Sequence, residues 1–319
     1  MSSQAARGYQ QSVDDFAHRH RHPDEAFYLL LAPFAGCPGG HPLDIAMLAE
    51  ALGSDAVTRI DSSGLVQAPE RWPALVRLAR PGQACGALAA LSATYAAREA
   101  TATWHYVCAW LLSDQPAEAI ARHISQQCHV LHQPAPHGIT AWYEPVRLTL
   151  LRVTLNNAGA VLGPIRSWLH PDGCGSCTVL ERPSPAGELC ITREVRATQN
   201  VAPQIIQLLS AWHRLATAQT GATRGQCPGS SGLPAKAPVH VMNLMIRAFK
   251  QGLRDRGDIQ CMCLHLLMVH PLLLQHPTIQ RDVAQAVAGQ QRLAACFARY
   301  GDSAWARIVA DLPQAGGYS

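Results

Sequence analysis

Two regimes of apolar patterning divide the chain. From Glu25 to about Arg196, short apolar runs alternate with helical stripes, and beyond that point only helical stripes recur. Phe27 to Ala32 is an unbroken apolar run suited to a buried strand. Trp104 to Leu111 is apolar on both faces and aromatic-rich, which predicts a central strand covered on both sides. Leu43 to Leu52 reads as a helix. Ser113 and Asp114 offer a helix cap, Pro116 suits the first turn, and Ile120, Ile124, Cys128 and Leu131 recur at helical spacing. Ile139 to Tyr143 reads as another strand. A helix follows with Leu148, Leu151 and Leu155 on its apolar face, and Asn157 and Gly159 stand where it should stop. Thr178 to Glu181 and Leu189 to Val195 read as strands of a hairpin joined by Pro183-Ser184-Pro185-Ala186-Gly187.

The remainder predicts helices alone. Ile205, Leu208, Leu209, Trp212 and Leu215 mark one. Met242, Met245, Phe249 and Leu253 stripe a second, ended near Gly257. Ile279, Val283 and Val287 stripe a third, stopped by Gly289. Gly221 to Pro238, rich in Gly, Pro and Ser, is the best linker. The expected fold class is therefore α/β (mixed α+β) in an N-terminal lobe, residues 25–200, with an α-helical C-terminal lobe, residues 201–319. Residues 1–24 are expected to be a loose lead-in.

Composition narrows the class. At 319 residues and 48% hydrophobic content the chain can bury a sizeable core. Its net charge of +4 is mild, lysine occurs only at Lys236 and Lys250, and the arginines are scattered, unlike a surface that tracks phosphates. The polar stretch Met1 to Asp15 shows no secretory h-region, and the longest apolar runs, Phe27 to Ala35 and Cys261 to Leu274, are too short to span a bilayer. A cytoplasmic location without membrane insertion is expected. The eleven cysteines are expected to be reduced, mostly buried thiols.

Candidate chemistry is sparse. No phosphate-binding loop, dinucleotide fingerprint, nucleophile elbow or His-Glu-x-x-His pattern is present. Cys174-Gly175-Ser176-Cys177 is a lone Cys-x-x-Cys, read as a glycine-rich turn before a strand, although a zinc site or a redox pair would use the same spacing. Cys261-x-Cys263-x-His265 could complete a metal site only if it were not helical, because helical neighbours two apart diverge. His18, His20 and His22 alternate with Arg19 and Arg21 and read as a solvated run, with a metal or polyanion as the alternative. Met242, Met245, Met262 and Met268 suit core filling or, as the other reading, an adaptable groove for an apolar helix, with Met242, Met245 and Phe249 lining it. No cofactor and no metal are expected.

Several segments, in order, resemble the type VI secretion effector-chaperone family, also called the adaptor family. Cys108-Ala109-Trp110-Leu111-Leu112-Ser113 and the following Arg122-His123-Ile124 are similar to the family's strand and helix. Ala141-Trp142-Tyr143-Glu144-Pro145-Val146 aligns with an arginine, two aromatics and Asp-Pro-Arg opening a helix. Leu162-Gly163-Pro164-Ile165-Arg166-Ser167-Trp168 matches a glycine-proline followed by tryptophan. Phe27 to Leu31 takes the place of the first strand, and Ala68-Pro69 with Pro73-Ala74-Leu75-Val76 resembles an Ala-Pro-x-Leu-Val segment. The likeness covers about residues 25–182. The chain departs from the pattern at Ala141 and Val146, where the family has arginines, and at Glu144, where it has aspartate. Glutamate is longer and a poorer helix cap, though its charge suits a helix N-terminus.

The resemblance implies a cytoplasmic chaperone that binds the N-terminal part of a secreted toxic effector and aids its loading onto the VgrG spike, by non-covalent recognition of an apolar client segment in a cleft between the lobes. Trp110, Trp142, Tyr143, Glu144, Pro145, Gly163, Pro164 and Trp168 are its motif positions; for Trp142, Tyr143, Pro145, Gly163, Pro164 and Trp168, core packing is a better account than client contact. Two other classes remain open: an enzyme with a Cys/His or metal site, and a nucleic-acid-binding module using His18 to His22.

Overall fold

The apolar run at the start of the chain becomes the strand β1 (Ala26–Leu31), and all six of its residues are buried. It lies third in a six-stranded antiparallel sheet of order β2-β3-β1-β4-β5-β6, with β2 at Val57–Arg59, β3 at Ala74–Ala79, β4 at Val107–Ser113, β5 at Ser167–Pro171 and β6 at Cys177–Glu181. The computed structural model describes residues 3–62, 68–99, 102–132, 140–172, 176–184, 187–222, 233–234 and 236–313. By contacts the chain forms two compact units, Met1–Pro203 with Ser230–Lys236, and Gln204–Gly229 with Ala237–Ser319. The first contains the sheet and is mixed α+β; the second is helical.

Helices cover both faces of the sheet, which is why β1 and β4 are apolar throughout instead of alternating. Phe27, Leu29 and Leu31 of β1, with Trp110 and Leu112 of β4, pack among residues of α1 (Ser3–Asp15), α2 (Ile45–Leu52) and α3 (Ala87–Glu99). Tyr28 and Leu30, with Ala109 and Leu111, face the other way, toward α4 (Ala117–His132) and α5 (Pro145–Thr154). A bulge shifts the pairing: Leu30 lies opposite Ala109 and Leu31 opposite Val107, so Cys108 is the extra residue and shares a face with Ala109.

Most elements lie where the hydrophobic pattern places them. Ile120, Ile124, Cys128 and Leu131 are the buried stripe of α4, and Leu148 and Leu151 that of α5. Four expectations are corrected. Residues 3–20 are not loose: Tyr9, Val13 and Phe16 recur at helical spacing along α1 and the π-helical turn Phe16–His20, and all three are fully buried beside α3. Their polar neighbours conceal the stripe. Thr140–Glu144 is a turn, with Trp142 N–H donating to the Thr140 carbonyl at 2.7 Å, because Glu144 caps a helix that Pro145 begins; Ile139 lies outside the described residues.

The hairpin partner of β6 is β5, paired from Ser167↔Glu181 to Pro171↔Cys177, not the segment from Leu189. Thr192 accepts from the Val195 amide at 3.3 Å and opens α6 (Arg193–Ala222), which takes Val195 into the core. Finally, α5 ends at Leu155, ahead of Asn157, and Gly159 serves a different purpose: a side chain there would overlap the Glu181 carbonyl. Pro185 and Ala186 of the expected turn, and most of the linker near 221–238, lie outside the described residues.

The second unit contains the later part of α6, then α7 (Ala237–Lys250), α8 (Arg256–Met268), α9 (Pro277–Val287), α10 (Leu293–Phe297) and α11 (Asp302–Ala310). Asp255 caps α8 by accepting the Gly257 and Asp258 amides. The buried Asp258 carboxylate accepts the Leu293 amide at 2.8 Å and so starts α10. His265, Phe297 and Trp305 form an aromatic cluster between α8, α10 and α11, with Phe297 edge-to-face against both of the others. Gly289, at φ 70°, stops α9 as expected.

Because Phe16 is 1% exposed and anchors the N-terminal turn, Phe16→Ala should cost about 3–5 kcal/mol in urea unfolding. A loss within about 0.5 kcal/mol, as at an unconstrained surface position, would show that the segment is loose after all.

Candidate functional site

The residues that carry the family resemblance converge on one side of the sheet, where α4 and α5 cover β4 and β5. Trp168 of β5 pairs with Leu111 and stacks on Trp142 at 5.0 Å between ring centroids. The Trp142 indole donates to the Ile124 carbonyl of α4 at 3.2 Å. Ser113, at the end of β4, donates to the Pro164 carbonyl at 2.8 Å. Gly163 adopts φ 54° and lies directly against His123, so any side chain there would overlap the imidazole, which in turn donates to the Val161 carbonyl at 2.8 Å. Segments 108–113, 122–124, 141–146 and 162–168 are thus joined by specific contacts. Trp110 is the exception. It points to the opposite face and donates to Ser92 Oγ of α3 at 2.8 Å.

At the centre of this region is an ion pair. Glu144, 1% exposed, accepts the Arg147 amide at 2.9 Å with one oxygen and the Nδ1–H of His105, 2% exposed, at 3.0 Å with the other. The longer side chain therefore caps α5 after all, and the extra length lets it reach a cation that an aspartate at this position would approach less closely. Burial alone would push the His105 imidazole down, but the hydrogen bond and charge of Glu144 outweigh it and hold the ring above its ordinary 6.5. Burial likewise opposes ionisation of Glu144, and is overcome by His105, the Arg147 amide and the Arg147 charge, which set the carboxyl below its ordinary 4.5.

The surroundings of the pair are themselves titratable. Glu99, at the end of α3, accepts the Tyr106 and Val107 amides and is held above its ordinary range by burial. Burial raises the Cys108 thiol well above its ordinary value and pushes His170 down to about 4, so both are neutral near pH 7. Arg147 donates to the Gln199 carbonyl at 2.8 Å, and Gln199 returns a bond to the Arg147 carbonyl at 3.0 Å, tying α5 to the first turns of α6. Chemically, this is a desolvated electrostatic clamp that fixes the start of α5 against the strand end before β4. Pro145 is buried at the first position of the helix, and Tyr143 is fully buried beside it.

His105, Arg147, Gln199 and Glu99 were not apparent from the sequence. They lie up to 100 positions apart and no spacing links them. The one available signal was Glu144 itself, since an acid standing before a proline at a helix start needs a donor.

The remaining sequence candidates separate. Met245 belongs to the core at 1% exposure, whereas Met242 and Phe249 are half-buried on the flank of α7. Cys177 begins β6 and is half-buried, and Cys174 lies outside the described residues. Cys261, Cys263 and His265 are on α8, where the His265 ring donates to the Cys261 carbonyl at 2.8 Å. Among the described residues no three His, Cys, Asp or Glu side chains are placed to hold a metal ion. Burial raises the thiols of Cys128 and Cys263 to about 12. In the His/Arg run, Arg21 is a structural clip that donates to the carbonyls of Glu25, Arg80 and Gln83, and His20 faces Glu181 at 3.4 Å. The buried Glu25 holds Arg166 and the His22 amide. Among the described residues no helix is long and apolar enough to cross a membrane.

No protein-family model, curated protein or solved structure matches the chain.

The ion pair has a pH signature. The contribution of Glu144 is present above its ordinary 4.5 and is lost as pH falls through its lower folded value. That of His105 is complete below its ordinary 6.5 and is lost as pH rises through its higher folded value. The stability difference between the native chain and Glu144→Gln should therefore be greatest between pH 4.5 and 6.5 and shrink on both sides, and Glu144→Ala should cost about 3–5 kcal/mol by leaving His105 buried without its partner. A flat difference across pH 4 to 8 in urea titrations would show the pair to be uncharged.

Proposed function

We propose that the protein is a cytoplasmic effector chaperone of the type VI secretion adaptor kind, acting by binding and not by catalysis. The supporting observation is the convergence of the four resembling segments. Separated by up to 60 positions in the chain, they meet through the Trp142–Trp168 stack, the Ser113–Pro164 hydrogen bond and the Gly163–His123 contact. The shared network is what supports the reading. Glu144 adds to this: the family's aspartate is replaced, yet its capping position is retained and its charge is balanced by His105.

On this reading the motif residues hold the scaffold, and client recognition belongs to surface residues on that scaffold. The client is the N-terminal part of one toxic effector, gripped non-covalently through apolar anchors, and the VgrG spike is the destination to which the chaperone delivers it. Nucleic acid, membrane and cofactor have no part in the cycle.

The test is co-expression with a candidate effector gene from its genomic neighbourhood. The two proteins should elute together in size-exclusion chromatography, and the effector alone should be poorly soluble. A chaperone that is folded by circular dichroism yet elutes apart from a soluble effector overturns the proposal.

A further inference from the structure

On α7 the buried positions Ala237, Pro238, Val241, Leu244, Met245 and Ala248 occupy one arc. Beside it Val239, Met242, Ile246 and Phe249, at i, i+3, i+7 and i+10, form a second apolar stripe that is only partly covered. Val239, Met242 and Phe249 are half-buried, and Ile246 is 42% exposed. The stripe continues beyond the helix. Gly252, at φ +93°, lies against the Val287 methyl groups, and Val287, 48% exposed, extends the apolar surface onto the last turn of α9.

Cations border this surface. Lys250 follows Phe249, the Arg254 guanidinium lies 5.9 Å from the Phe249 ring centroid, and Arg256 begins α8; all three are exposed. Arg254 is fixed in place by donating to the Phe249 and Leu253 carbonyls. Among the described residues no carboxylate pairs with any of the three, because the adjacent Asp255 is taken by Arg292 and by the α8 amides. The imbalance extends to the whole unit, which has ten Arg and Lys against five Asp and no Glu.

We infer that this stripe is a docking surface for an acidic amphipathic helix of a protein partner, its apolar face on Val239, Met242, Ile246, Phe249 and Val287 and its carboxylates on Lys250, Arg254 and Arg256. A stripe one helix wide, with side chains at most half exposed, matches the i, i+3, i+7 anchors of a helix. A bilayer surface would call for protruding apolar side chains. The adaptor reading enters only in identifying that helix as part of the client.

The test uses the full chain and a fluorescein-labelled synthetic helix of about 18 residues, with leucines at helical spacing and glutamates elsewhere, followed by anisotropy. A charge-reversed lysine peptide and phosphatidylserine vesicles are the comparisons. The acidic peptide should bind at least about tenfold more tightly than the basic one, and Ile246→Glu and Lys250→Glu/Arg256→Glu should each weaken it at least about tenfold with unchanged thermal melting. Equal binding of both peptides, binding to vesicles alone, insensitivity to both variants, or a native dimer that Ile246→Glu dissociates would each overturn the inference. Co-elution with the effector that survives Ile246→Glu would sink this surface and leave the adaptor reading intact. Peptide binding without effector co-elution would do the reverse.

Discussion

A sheet covered by helices on both faces has no solvent-facing side on which to place polar groups, so charged groups near β1 and β4 are gathered at the strand ends, where protein partners reach them. The first unit supplies such partners at both strands. Before β1, Glu25 collects Arg166 and the His22 amide. Before β4, Glu99 takes two strand amides and Glu144 takes His105. After β4, Ser113 bonds to Pro164. Each of these groups belongs to a helix, loop or strand terminus, so the same contacts that satisfy the polar atoms also fix where the helices begin and end. Buried charge of this kind contributes little to net stability compared with an apolar substitute of the same volume. Its effect is on geometry, because a helix start that is bonded to a strand end cannot slide.

The legible part of the fold was the part controlled by local apolar spacing. The β1 run, the α4 stripe from Ile120 to Leu131 and the α9 stop at Gly289 could be read because each is decided by residues within a few turns of one another. The errors came where long-range contacts decide. Tyr9, Val13 and Phe16 are dispersed among polar residues and become an apolar face only because α3 lies beside them. Leu189 to Val195 looks like a strand, yet Thr192 diverts it into a helix. The α5 site was legible in its aromatic and proline residues but not in His105, Arg147 or Gln199, whose roles exist only once three elements are assembled.

The two units differ in composition and in where their aromatic and apolar residues lie. The first holds its aromatic motif residues in the core, where they set architecture. The second has fewer acids and an apolar stripe on the flank of α7.

The bulge at Cys108 imposes a parity on the chain around it. With one extra residue in β4, Val107 and Trp110 end up on the same side of the sheet although three positions apart, and His105 lies just ahead of them at the Glu144 carboxylate. Deleting Cys108 would therefore restore the regular alternation, with Val107 and Trp110 still on one face, whereas removing a residue while the bulge persists would turn one of them over. The bulge is thus the one point along this strand where a change of length by a single residue leaves the flanking side chains on their own sides of the sheet.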